Sequence, residues 1–394
     1  MEYISVKQAA DMWGVSIRRV QAFLKENRIE GAKRFNERAW MIPEDAKKPI
    51  NPRKENCSKE DKCLFEDFDA ILDATILPMP QSNPDAVLDL FDEDRLRLHL
   101  VGEIAYLRGD FEQVICCFER TKGDDAARLR ACPLTIAAAI SMGDYPLYTE
   151  IEIFLKNIIK ADISTNMTMF AEMALNTAYV STIAPNMVSD WLKDGYFNTV
   201  PPKVIPDVTY KRIKYFQCLG KFEVMLVAAQ TALAFYKANK GITYADIYLR
   251  MMCAVACCSL RRIEDAENYL LEALRICLPH GFITPFAESM TAFSGLLEKC
   301  LKREFPEHYT AVTNQWRRTF ANWISFHNRF TKENITSILS LRNFEIAVLA
   351  ARKVPYAEIA KMFNISVGRL NNIMCEIYEE LFITNKKDLS KFVL

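Results

Sequence analysis

Arg18, Arg19, Gln21 and Lys25 stand close together in the segment "VSIRRVQAFLKEN". These side chains suit one kind of chemistry, hydrogen bonding to nucleic acid. Arginine forks onto a guanine edge, glutamine onto an adenine edge, and lysine meets phosphate. Lys33, Arg34 and Arg38 follow a short way on. Residues 1–55 hold twelve Lys/Arg against eight Asp/Glu, whereas the whole chain balances fifty against fifty. A nucleic-acid face is therefore sought first in this segment rather than across the whole molecule. The alternative chemistries are poorly supported. The four histidines, His99, His280, His308 and His327, have no second metal-type ligand at a suitable spacing, and His99 and His280 read as cap or packing residues. No nucleophile elbow and no G-x-x-x-x-G-K phosphate loop occurs, so neither catalysis nor a cofactor is expected. The twelve cysteines, including the pairs Cys116-Cys117 and Cys257-Cys258, lie in apolar helical patterns and read as reduced thiols. Cys57 and Cys63 lack the second pair or the histidine that zinc requires.

The elements that position the basic residues are readable. Ser5 can cap a helix burying Val6, Ala9, Ala10 and Met12, which Gly14 ends. Ser16 can cap a second helix that turns Val20, Phe23 and Leu24 inward and leaves Arg18, Arg19, Gln21, Ala22 and Lys25 on or near its open face. Residues 29–42 read as a two-stranded wing, with Lys33, Arg34 and Arg38 near its tip and Trp40 and Ile42 packed back on the helices. The segment "ISVKQAADMWGVSIRRVQAFLKENRI" and the W-x-IP-x-DA-xx-P ending, Trp40 to Pro49, resemble the excisionase-like, MerR-related winged helix-turn-helix family over about fifty residues. The resemblance implies DNA binding by the second helix, with Ser16 at its start, and by the wing. Residues 51–63 are polar and read as a linker.

In the middle of the chain three phrases recur: "LRGDFEQV", "SMGDYPLY" and "CLGKFEVM". Gly109 and Gly143 are 34 residues apart, the period of a tetratricopeptide repeat. Gly109, Gly143 and Gly220 mark turns between paired helices, Gly102 is small where two helices cross, and Phe118 is buried. Arg261 stands where the fourth glycine belongs, so that turn is expected to be strained or slightly different. Residues 64–330 thus read as a repeat superhelix with a curved groove for a peptide, a protein or a small molecule. The stretch "EDAENYLLEALRICLPHGFITPFAESMTAFSGLLEKCL" resembles the last repeats of MalT-like LuxR regulators, which implies a signal-sensing helical region.

At the other end, "ILSLRNFEIAVLAARKVPYAEIAKMFNISVGRLNNIMCEIYEELFITNKKDLSKFV" resembles the LuxR-type four-helix helix-turn-helix domain, residues 335–394, with Glu345 in its first helix. Ser366 can cap the second reading helix, and Leu370, Met374, Ile377 and Leu381 follow at helical spacing. Arg369, Asn371 and Asn372 are the DNA-facing candidates that the resemblance implies. Yet the family usually has lysine at the position of Asn371, often histidine at that of Ile373 and basic residues around Glu379 and Glu380. Residues 342–381 hold five basic and five acidic groups, so phosphate attraction is missing there.

With 12 glycines and 16 prolines among 394 residues, half of them apolar, the fold expected is mostly α. It comprises an N-terminal winged helix-turn-helix over 1–50, a tetratricopeptide-like superhelix and a C-terminal LuxR-type domain. No membrane span and no secretory signal is visible, so a cytoplasmic, bacterial-type transcription regulator is expected. Its expected partners are double-stranded DNA, a small-molecule or peptide effector in the groove, RNA polymerase and a second copy of itself. The rival reading is a protein-interaction scaffold whose two small domains hold proteins instead of DNA.

Overall fold

Helix dominates the computed structural model, which describes residues 3–13, 15–25, 29, 31–34, 40–44, 46, 59–236, 241–293, 295–332, 339, 341–380, 386 and 389. The mostly α expectation holds. No helix among these residues is long and apolar enough to cross a membrane.

The N-terminal unit runs β1 (Tyr3–Ile4), α1 (Val6–Trp13), α2 (Ile17–Lys25), β2 (Lys33–Arg34) and β3 (Trp40–Pro43). The sheet has the order β1-β3-β2 with antiparallel pairing, Ile4 opposite Ile42 and Arg34 opposite Trp40. The two wing strands were expected; β1 was not, because two residues are too short to show alternation. Ala9, Ala10, Val20, Phe23, Leu24 and Ile42 form the core. Met12 is a correction: it is 51% exposed, and Trp13 packs against the core instead. Gly14 and Arg38 lie outside the described residues.

The helical body starts with α3 (Lys59–Thr75), which begins inside the expected linker; residues 51–58 are outside the description. It continues with α4 (Asp94–Arg108), α5 (Phe111–Glu119), α6 (Asp125–Met142), α7 (Tyr145–Ala161), α8 (Thr165–Ser181), α9 (Asp190–Asp194), α10 (Ile205–Cys218), α11 (Phe222–Tyr236), α12 (Tyr244–Ser259), α13 (Ile263–Cys277), α14 (Thr284–Ser289), α15 (Leu296–Glu304) and the long α16 (Pro306–Thr331). One backbone device recurs between paired helices. Residues 109, 143, 183, 220 and 261 take φ of 81°, 76°, 54°, 66° and 62°. In each case the following amide bonds back five residues: Asp110 N to Ala105 O at 2.9 Å, Asp144 to Ala139 at 2.9 Å, Ala184 to Tyr179 at 2.8 Å, Lys221 to Phe216 at 3.0 Å and Arg262 to Cys257 at 2.9 Å. This left-handed helix stop satisfies orphan carbonyls and suits glycine. Gly109, Gly143 and Gly220 supply it without strain, and Arg261 supplies it with strain, the first of the two outcomes expected there. Ile183 does so invisibly, since a β-branched residue gives no sign of a left-handed turn. After two of the glycines an aspartate opens the next helix, Asp110 accepting from Gln113 N and Asp144 from Leu147 N, both at 3.0 Å.

Two large apolar clusters fill the body, beside a smaller one around Tyr106, Phe111 and Val114. One joins Phe118, Ile136, Leu155, Phe170 and Phe326; the other holds Tyr248, Phe282, Phe286, Phe293 and Leu297. Each fully buried phenylalanine contributes about 1.5–3 kcal/mol. The C-terminal unit, α17 (Leu341–Ala351), α18 (Tyr356–Met362) and α19 (Val367–Glu380), has its own core, which Ile324 of α16 enters and which Phe320 and Trp323 pack against. Leu389 is buried in that core, and the rest of the expected fourth helix, with Leu381, is largely outside the described residues. Ten cysteines have side chains among those described, all free: eight buried, Cys116 and Cys375 exposed.

Candidate functional sites

Ser5 and Gln8 cap α1 reciprocally: Ser5 Oγ accepts from Gln8 N at 3.2 Å, and Gln8 Oε1 accepts from Ser5 N at 2.9 Å. Ser16 Oγ accepts from Arg19 N at 3.2 Å and starts α2. Ser16 therefore positions the helix. With Val20, Phe23 and Leu24 buried, helical geometry leaves Arg18, Arg19, Gln21 and Lys25 exposed, and Lys33 and Arg34 are exposed on β2. The Arg34 guanidinium lies 5.2 Å from the Trp40 ring centroid, a contact that steadies the strand end. Arg19 is placed differently from its neighbours. Its guanidinium lies 5.2 Å from the Phe23 ring and 3.5 Å from the Asp162 carboxylate at the end of α7. Tyr196 OH also donates to Asp11 O at 3.3 Å. The second helix of the N-terminal unit thus carries a cation already answered by the body, a long-range contact that no local pattern reveals.

In the C-terminal unit Ser366 Oγ accepts from Arg369 N at 3.1 Å, and Asn364, at φ 52°, makes the turn between α18 and α19. Leu370, Met374 and Ile377 are buried, while Arg369, Asn371, Asn372, Cys375, Glu376 and Glu379 face outward. Ile373, where the family often has histidine, is 3% exposed and belongs to the core. Arg369 lies 3.8 Å from Glu376, so the cation of this face is partly neutralised by its own helix. Burial pushes the Glu345 carboxyl of α17 up to about 7, with Arg317 opposing.

The third site is a cavity of about 120 Å³ lined by the body and the C-terminal unit. Its aromatic wall comes from α16, where Trp316, Phe320, Trp323 and His327 recur at helical spacing. Phe320 and Trp323 stack at 5.8 Å and Trp323 and His327 at 5.6 Å between centroids. The helix is held by polar side chains that reach the ends of body helices. Asn322 Nδ2 donates to Ser141 O at 2.9 Å, Trp323 Nε1 to Ser181 O at 2.6 Å, and His327 Nδ1 meets Thr182 O at 2.6 Å. These are carbonyls that a helix cannot satisfy itself. Gly143 permits the approach, because a Cβ there would stand 2.7 Å from Asn322 Oδ1. Opposite lie Lys214 and Gln217 of α10, Glu288 of α14, and Phe344, Val348 and Arg352 of the C-terminal unit. Tyr106 OH and Tyr248 OH donate to the two oxygens of Glu288, the latter at 2.8 Å. Burial opposes the charge on Lys214, yet Tyr210 and Glu288 together raise its pKa above the ordinary lysine value. Gln217 Oε1 and Trp316 Nε1 are buried and have no hydrogen-bond partner among the described residues. The aromatic ladder was present in "QWRRTFANWISFHN" as spacing alone; nothing local distinguishes a cavity wall from a core stripe.

His99 is buried and its pKa is driven down to about 3, chiefly by desolvation and then by Arg130, which fits a packing residue. Among the described residues no group of three or more His, Cys, Asp or Glu is placed to hold a metal ion; Cys57 is outside them. Compared with known proteins, the chain matches no family model, no curated protein and no solved structure.

Proposed function

We propose that the chain is a DNA-binding transcription regulator. Its N-terminal winged helix-turn-helix holds double-stranded DNA, its tetratricopeptide-like body senses a small effector, and its LuxR-type C-terminal unit closes the effector cavity. The observation that carries the reading is the cluster of Arg18, Gln21, Lys25, Lys33 and Arg34, all exposed on one helix and its neighbouring strand. Arginine and glutamine there suit base edges, and the lysines and Arg34 suit phosphates. The C-terminal helix contributes little to this role, since Arg369 is engaged by Glu376 and Glu379 faces outward beside it. That acidic face favours a protein partner such as RNA polymerase or a second copy.

The test is selection of bound genomic fragments followed by anisotropy titration at stated salt. Arg18→Ala with Gln21→Ala should weaken binding at least tenfold, since each good bidentate base contact is worth about 1–3 kcal/mol. Arg369→Ala should leave both affinity and salt slope unchanged. Binding unaffected by the first pair, or no fragment retained at all, returns the chain to the scaffold reading.

A further inference from the structure

The cavity has a charge that the protein itself leaves unanswered. Arg352 stands just after α17, lines the cavity, and donates Nη1 to Thr291 O at 3.0 Å. Among the described residues it forms no ion pair with a carboxylate, and burial lowers its pKa. A guanidinium carries five N–H donors, and one carbonyl occupies only part of that fork. Arg352 is half-buried, and a guanidinium drawn partly out of water gains from a carboxylate that fills the rest of its fork. Lys214, by contrast, already has Tyr210 and Glu288. The charge left over is therefore one, positive, and forked.

We infer that the cavity takes a small planar organic carboxylate, its acid group on Arg352 and its flat body against Trp316, Phe320 and Trp323. Size, shape and charge each narrow the ligand. The 120 Å³ cavity is of the same order as the ~150 Å³ apolar cavity that holds benzene, so it suits a ligand of one ring. The aromatic ladder offers flat faces for a ring. A carboxylate matches the guanidinium fork with two parallel bonds. A phosphate dianion would need a second unanswered cation, which Lys214 does not provide. The site also has a mechanical consequence: a ligand bridging Arg352 and α16 ties the C-terminal unit to the body.

This inference rests on reading the cavity as the effector site, and the measurements keep it separable from DNA binding. The full-length protein is titrated calorimetrically, without DNA, with benzoate and indole-3-carboxylate, then with benzamide, benzylamine and inorganic phosphate. Benzoate or indole-3-carboxylate should bind at least tenfold more tightly than benzamide, and benzylamine and phosphate should not compete. Arg352→Gln should weaken the carboxylates about ten- to hundredfold, the loss of a charge-assisted pair, while leaving benzamide unchanged. Arg352→Lys should recover only part, because the fork is gone. Equal binding of benzamide and benzoate, preference for benzylamine or phosphate, or no saturation by any carboxylate up to about 10 mM overturns the inference. The wild-type charge preference decides the matter even if the Arg352 variants do not fold. Carboxylate binding by a protein that retains no DNA would uphold the cavity and refute the regulator; DNA binding without carboxylate preference would do the reverse.

Discussion

Asp162→Asn should raise DNA affinity. Asp162 ends α7 in a left-handed conformation, φ 48°, and accepts from Thr168 Oγ1 at 3.3 Å. Asparagine tolerates that backbone and keeps an oxygen for Thr168, so the substitution removes the charge and leaves the helix end in place. What it removes is the ion pair with Arg19, 3.5 Å long, between side chains 45% and 31% exposed. A pair so exposed is worth about 0.2–1 kcal/mol, which sets the gain at roughly 1.4- to fivefold if Arg19 must leave Asp162 to meet DNA. One more phosphate contact would also steepen the salt dependence of binding by about 0.9 in the log–log slope. The assay is fluorescence anisotropy on a selected fragment across about 50–200 mM salt. The same substitution is then made in an Arg19→Ala background, where the gain should vanish because the partner is missing. An unchanged affinity would show that Arg19 meets DNA without leaving Asp162, or never meets it. A gain that persists without Arg19 would reduce the effect to loss of a repelling charge. Either result refutes the release of Arg19.

Gly143→Ala should cost about 2–3 kcal/mol in a denaturant titration. A left-handed non-glycine residue costs about 1–2 kcal/mol, and the Asn322–Ser141 bond that the new Cβ displaces adds about 1 kcal/mol. Gly123→Ala is the control, since its φ of 89° is equally left-handed but nothing lies within 4 Å of its Cβ, so it should show the backbone cost alone. Equal costs at both positions would mean that α16 does not depend on the close approach at Gly143. Burial raises the Glu103 carboxyl from 4.5 to about 7, with Arg130 opposing and Asp207 adding to it. The folded state then holds a proton that the unfolded state has lost, so stability falls as pH rises from about 4.5 to about 7, by no more than about 3 kcal/mol. Glu103→Gln should flatten that fall when unfolding is followed against pH; an unchanged slope would place the carboxyl in contact with water.

Local patterns carried much of this protein. Capping by Ser5, Ser16 and Ser366 was legible because a hydroxyl before an apolar period has one common use, and the structure shows all three oxygens accepting from backbone amides. The left-handed turns at Gly109, Gly143 and Gly220 were legible because glycine is the residue that adopts them freely, and Arg261 by its place in the repeat. The exposed cations of α2 followed from the burial of Val20, Phe23 and Leu24, since a helix can bury only one face. Met12 was misplaced because it lies at the border of its face, where a rotation of one residue step decides burial. Tertiary structure alone decided the rest. Ile183 takes a turn that its side chain disfavours, so surrounding packing must impose it. Arg19 meets Asp162 across 143 positions of chain, and Arg352 meets Trp316, Lys214 and Glu288 around one cavity. Such meetings depend on how whole helices stack, and stacking is a sum over many weak contacts that no single stretch of residues records.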